Sequence, residues 1–130
     1  TYIASHIKKD YDSRSIFNFD NFIGVEFMTP AVTSAGLFDM VGASTPQGEQ
    51  QLLAQAVTNT AVRLTNPHIR YFNTTQNGYS TIEFKHKHCD WKAYIVDKNV
   101  NDGEQSVKLI RHYRKYTTFP WLITQAALIY

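Results

Sequence analysis

The chain has 130 residues, is 43% hydrophobic, and carries 13 Lys+Arg against 11 Asp+Glu for a formal net charge of +2. That length supports one buried core and excludes two, and so even a charge balance excludes a bulk electrostatic demand for nucleic acid or an anionic membrane. The single cysteine, Cys89, excludes an internal disulfide framework and a thiolate metal cage.

Residues 1 to 20 mix charges with turn formers (Lys8, Lys9, Asp10, Asp12, Ser13, Arg14, Ser15) without a sustained period. They predict a loop-rich lead-in over 1–21, preceded at most by a short strand through Tyr2 to Ile7. The chain opens on Thr1 with no basic start and apolar run behind it, so no signal peptide is expected, and Thr1 is expected to follow a cut within a longer polypeptide. Phe22, Ile23, Val25 and Phe27 then predict a strand at about 22–29 buried on both faces, with Pro30 limiting its pairing.

Ser44-Thr45-Pro46-Gln47 is a helix-start signature: a hydroxyl cap, a proline preset for the first turn, and Gln47 three residues after Ser44. The helix is expected over 46–64. Leu52, Leu53, Ala56, Val57, Thr60, Ala61 and Leu64 recur at three-to-four spacing and predict one apolar stripe laid on a sheet, while Gln51, Gln55, Asn59 and Arg63 face water. Asn66-Pro67 ends it. Beyond it, a strand at 68–75, the turn pair Asn77-Gly78 and a return strand at 79–86 predict a hairpin. A second reversal near Lys87-His88 leads into alternation over Trp91 to Val96, a polar loop follows to Gln105, and 106–116 forms a further strand.

The apolar tail 117–130 fits either an edge strand or a docking helix; Thr124 and Gln125 interrupt it, leaving no run of about 18 apolar residues to span a bilayer. The expected fold class is α+β: one mostly antiparallel sheet of about four to six strands, with the 46–64 helix across one face of a 22–116 body. The expected core is Phe22, Val25, Phe27, Leu52, Leu53, Val57, Leu64, Ile82, Phe84, Trp91, Ile95 and Leu109.

Three clusters have residue types that could do chemistry. Glu83 to Asp90 places His86 and His88 at i and i+2 beside Cys89 and Asp90, types a zinc or iron site uses. A turn between the two histidines destroys the shared strand face, so the stretch reads as a polar hairpin tip. Lys108 to Tyr116 interleaves basic and aromatic residues, as a phosphate-neutralising, base-stacking surface does; an edge strand guarded by its own charges explains the same residues and is preferred. Thr29, Thr33 and Ser34 flank Pro30 where α/β-type sheets present polar groups to ligands, but hydroxyls that cap local turns explain the same residues and are preferred. His6 is similarly open to either reading. No Gly-x-Ser-x-Gly elbow, Gly-x-x-x-x-Gly-Lys loop or His-Glu-x-x-His helix occurs.

The order of blocks matters: Val25-Glu26-Phe27-Met28-Thr29-Pro30 through Gly36, then a helix, then Asn66-Pro67-His68-Ile69-Arg70-Tyr71, Gly78-Tyr79, and Asp90-Trp91-Lys92-Ala93-Tyr94-Ile95-Val96. Over residues 22 to 97 this resembles the C-terminal part of the alkaline phosphatase D (PhoD-like) family of metal-dependent phosphatases. The resemblance implies a fragment of an α/β metallophosphatase domain, secreted or periplasmic, whose parent hydrolyses phosphate esters with bound metal ions such as calcium, iron or zinc. It places the metal ligands upstream of the Glu-Phe-x-Thr-Pro block, so no catalytic or metal residue carries over, and the fragment alone is expected to be inactive. His6, Thr29 and Thr33 are the positions expected to line the phosphate cleft. Expected partners are the rest of the parent chain and its phosphate ester, with self-association through exposed apolar surface, and neither nucleic acid nor a membrane. The alternative is a free-standing module that binds nucleic acid or another polyanion along Lys108 to Tyr116.

Overall fold

A computed structural model describes residues 1–32, 48–97 and 107–126. The described elements are β1 (Tyr2–Lys8), a turn of 3-10 helix (Phe19–Asn21), β2 (Phe22–Met28), α1 (Gly48–Thr65), β3 (Ile69–Asn73), β4 (Gly78–Phe84), β5 (His88–Val96), β6 (Val107–Tyr116) and β7 (Ile123–Thr124). They form two antiparallel sheets, ordered β2-β1-β3 and β4-β5-β6-β7, with one helix: an α+β fold.

The inner faces of the two sheets enclose the core. Strand alternation sends Tyr2 and Ala4 of β1 and Tyr71 of β3 inward, against Trp91 and Ala93 of β5, Ile110 and Tyr113 of β6, and Leu122. Phe27 of β2 stacks on Trp91 across the gap, ring centroids 4.9 Å apart, and the Tyr2 hydroxyl donates to the Tyr94 carbonyl. Gly78 is needed at that crossing: a β-carbon there would run into the Tyr94 carbonyl and the Tyr2 hydroxyl. Where β3 ends, Asn73 is fully buried and satisfied. Its amide donates to the Tyr71 hydroxyl at 3.0 Å and to Gln76 Oε1 at 2.8 Å, and its carbonyl oxygen accepts from the Thr75 amide at 3.1 Å.

Several expectations are corrected. Tyr2–Lys8 is the middle strand of the first sheet, not a marginal lead-in, because its small and aromatic residues alternate inward between two partners. There are two sheets in place of one: Asn77-Gly78 does not close a hairpin, since β3 pairs with β1 while β4 pairs with β5. The second expected reversal is present, with the Lys85 amide donating to the His88 carbonyl at 2.8 Å. β2 is an edge strand with Ile23 and Met28 exposed, so it is not buried on both faces. β6 lies between β5 and β7, although β7 reaches only Tyr113 and Arg114. The tail supplies that short edge strand; residues 127–130 lie outside those described.

The helix also sits elsewhere than expected. α1 lies along the free edge of β3, where the Phe72 amide donates to Asn59 Oδ1 at 2.9 Å and Gln55 Nε2 donates to the Phe72 carbonyl at 3.3 Å. Residues expected to face water thus cover a sheet edge, and the apolar stripe faces out: Leu53, Val57 and Leu64 are exposed, Leu64 by 72%. Ile82 and Phe84 are exposed as well, while Phe22 and Leu109 are half-buried and Val25, Phe27 and Ile95 pack on the core margin. The expected cap at Ser44 to Gln47 and the side chain of Leu52 lie outside the described residues. At the other end the helix stops as expected, with the Asn66 amide donating to Val62 and the Ile69 amide to Asn66 across Pro67.

Candidate functional site

Lys8, His68, Arg70 and Lys115 surround His6 at one end of the sandwich. His6 is the third inward residue of β1 after Tyr2 and Ala4, and it is buried to 4% exposure. Its Nε2 accepts the Leu122 amide at 3.1 Å, which places the ring proton on Nδ1, and its ring meets Phe22 edge-on at 5.2 Å. Both neighbours of β1 change register beside it. β3 slips between Ala4 and Ser5, leaving Arg70 as the extra residue; β2 slips between Ile7 and Lys8, leaving Ile23 extra. Bulges re-aim side chains, and these two flank His6 on either side of β1.

Lys8 is buried too; its ammonium donates to the Ser13 carbonyl and lies 5.5 Å from the Phe22 ring centroid. His68 sits in the turn after α1, its carbonyl accepting the His6 amide at 2.8 Å and its ring edge-on to Tyr11 at 4.8 Å. From the second sheet, alternation over Arg111, Tyr113 and Lys115 sends all three inward; Arg111 lies 4.5 Å above the Tyr71 ring, and Lys115 donates to the Tyr116 carbonyl. Burial, then Arg70, Lys8, His68 and Lys115, push the His6 imidazole down to about 4. Burial also lowers Lys115 and His68. Among the described residues no carboxylate forms an ion pair with Lys8, His68, Arg70 or Lys115, and the Nε atoms of Arg70 and Arg111 are buried with no hydrogen-bond acceptor.

A groove of about 320 Å³ opens beside this cluster, lined by Phe19, Phe22, Ile23, Lys115, Thr117 and Phe119 among others. An aromatic cluster holds its rim. Phe119 and Trp121 are 5.3 Å apart, Phe19 lies within 5.9 Å of both, and the Trp121 indole donates to the Ile16 carbonyl at 3.1 Å. The lead-in loop and the tail therefore meet as two sides of one cleft.

A second polar cluster lies on the outer face of the β4–β7 sheet. Arg114 clamps Asp90 with two bonds, Nε to Oδ1 at 2.7 Å and Nη2 to Oδ2 at 3.1 Å, and holds its carboxyl down at about 2. His112 Nε2 lies 3.3 Å from Oδ1 without hydrogen-bond alignment, and His88 Nε2 is 3.7 Å from Oδ2. The guanidinium already occupies the carboxylate that a metal would need. Among the described residues no group of three or more His, Cys, Asp or Glu is placed to hold a metal ion.

The described candidate cleft residues, His6 and Thr29, do not gather at one place. Thr29, exposed, shares a hydrogen bond with the Ser80 hydroxyl near the Ile3–Met28 pair; it is four residues along β2 from Val25, the partner of His6, or about 13 Å at strand rise. Thr33 lies outside the described residues. His86 falls in the β4–β5 turn while His88 opens β5. The basic row of β6 divides by parity: Arg111 and Lys115 point inward, His112 and Arg114 outward to Asp90. The convergence of Lys8, His68, Arg70 and Lys115 was not among the sites expected from the sequence. Its visible trace was the period-two run Tyr2, Ala4, His6, Lys8.

No family model, curated protein or solved structure matched the chain in comparisons with each. No described helix is long and apolar enough to cross a membrane.

Proposed function

We propose that this chain is the C-terminal structural portion of a PhoD-like metal-dependent phosphoesterase, acting in the periplasm or outside the cell. The observation that carries the reading is the ordered run of blocks from Val25 to Val96, which share one α+β body: Val25 to Met28 in β2, Ile69 to Tyr71 in β3, and Asp90 to Val96 in β5. A second observation supports the fragment character. Leu53, Val57, Leu64 and Phe84 are exposed, an amount of apolar surface suited to being covered by the rest of a larger domain.

In this reading the metal ions, calcium, iron or zinc, belong to ligands on the remainder of the parent. The present chain completes the domain and gives the phosphate cleft one wall. The residues described here do not fit a metal centre, so no hydrolytic step is assigned to them. The test is an aryl phosphatase assay on residues 1–130 with calcium, iron and zinc added in turn. No turnover is expected, and activity is expected once upstream sequence containing a Gly-Asp-x-His motif is joined to Thr1. Metal-dependent turnover by the 130 residues alone would falsify the assignment.

A further inference from the structure

We infer that the His6 end of the sandwich, where Lys8, His68, Arg70 and Lys115 converge from β1, the α1–β3 turn, the β3 bulge and β6, binds an oxyanion of the phosphate class. Three observations carry it. The three cations, Lys8, Arg70 and Lys115, come from separate elements and meet beside His68 in a buried or half-buried space, and none has a carboxylate partner among the described residues. Cations are rarely gathered away from water without a counter-charge.

Secondly, the buried Nε–H of Arg70 has no acceptor among the described residues, so the cluster holds an unused donor of the kind that grips oxyanions. Thirdly, the register slips that release Arg70 and Ile23 fall on either side of His6, next to a groove lined by Lys115 and Thr117 among others. His6 does not need to carry charge for this. With Nε2 accepting from Leu122, its remaining proton is on Nδ1, and the neutral ring adds no further positive charge to a crowded site.

The choice of phosphate over other anions rests on the proposed phosphoesterase reading, and the aromatic wall of Phe19, Phe22 and Phe119 suits an ester with a ring. No bond is made or broken; the site binds and orients.

The experiment is a titration of the whole 130-residue chain with inorganic phosphate at constant ionic strength. Isothermal calorimetry would be followed by amide NMR, with chloride, sulfate and phenyl phosphate as parallel arms. Saturable phosphate binding is expected, shifting the Leu122 and His68 amides, with chloride inert. Lys115→Gln and Arg70→Gln should each weaken it about tenfold, the effect of one lost charge-assisted contact. Lys85→Gln, on the exposed β4–β5 turn, should leave it unchanged. Tighter phenyl phosphate binding assigns the site to the ester, and tighter inorganic phosphate binding to the free ion.

Absence of saturable binding by the folded chain overturns the inference. So does equal affinity in Lys115→Gln and Arg70→Gln variants whose circular dichroism is unchanged, or binding of sulfate and chloride as tight as phosphate. These results are separable from the function test: turnover by the chain alone defeats the fragment reading, whereas an inactive chain that ignores phosphate defeats only this site.

Discussion

His6 and Asp90 are buried titratable groups that the fold holds in opposite charge states. His6 is kept neutral by burial and by the positive groups around it, down at about 4 against an ordinary 6.5. Asp90 is kept ionised by the Arg114 fork, at about 2 against 3.8. Both shifts are downward, so in both cases the unfolded chain takes up the proton first and stability falls as pH falls. For His6 the contribution is complete above about 6.5 and is lost between there and about 4, for a total of about 3 kcal/mol. For Asp90 it is complete above about 4 and is lost toward 2. Urea midpoints measured against pH separate the two. His6→Gln should flatten the upper limb, leaving a smaller slope from His68, while Asp90→Asn should flatten only the lower limb. Superimposable profiles for wild type and both variants would show that neither environment is as described.

At the scale of elements, the instructive case is α1 on β3. An edge strand presents unpaired amides and carbonyls, and here two polar helix side chains, one turn apart, take both backbone groups of Phe72. Asn59→Ala removes the acceptor and leaves the Phe72 amide without a partner. The expected cost is about 1 to 2 kcal/mol in urea unfolding, with faster hydrogen exchange at Phe72 and little change on β4. An unchanged Phe72 exchange rate would mean the helix does not guard that edge. The same contact explains what the sequence could and could not say. Helical period marked α1, Asn66-Pro67 marked its end, and alternation marked β4, β5 and β6, because those signals are local. Period says nothing about which neighbour a face meets, so the apolar stripe was directed at a sheet while Gln55 and Asn59 made the actual contact. Asn77-Gly78 misled for the same reason: a sound turn signal cannot report that the strands on either side belong to different sheets. β1 was faint because His6 and Lys8, buried at the cleft, are polar residues in core positions. The candidate site was illegible where it broke the hydrophobic pattern.

For the molecule as a whole, the distribution of apolar surface is lopsided. The core between the sheets is filled by Trp91, Tyr2 and Tyr113, yet Leu53, Val57 and Leu64 line the outside of α1, and Ile82 and Phe84 project from the edge strand β4. Side chains this exposed contribute little to folding, so replacing them should be nearly free in stability while changing how molecules meet one another. The triple variant Leu53→Gln, Val57→Gln, Leu64→Gln should unfold within about 1 kcal/mol of the parent chain, because surface changes are individually small. The parent chain should show a mass that climbs with concentration in light scattering, and the variant should stay monomeric over the same range. If the parent is monomeric throughout, the stripe is no liability and the argument that it awaits cover fails. If the variant instead loses several kcal/mol, the stripe is packed in solution, and α1 lies against something other than the edge of β3.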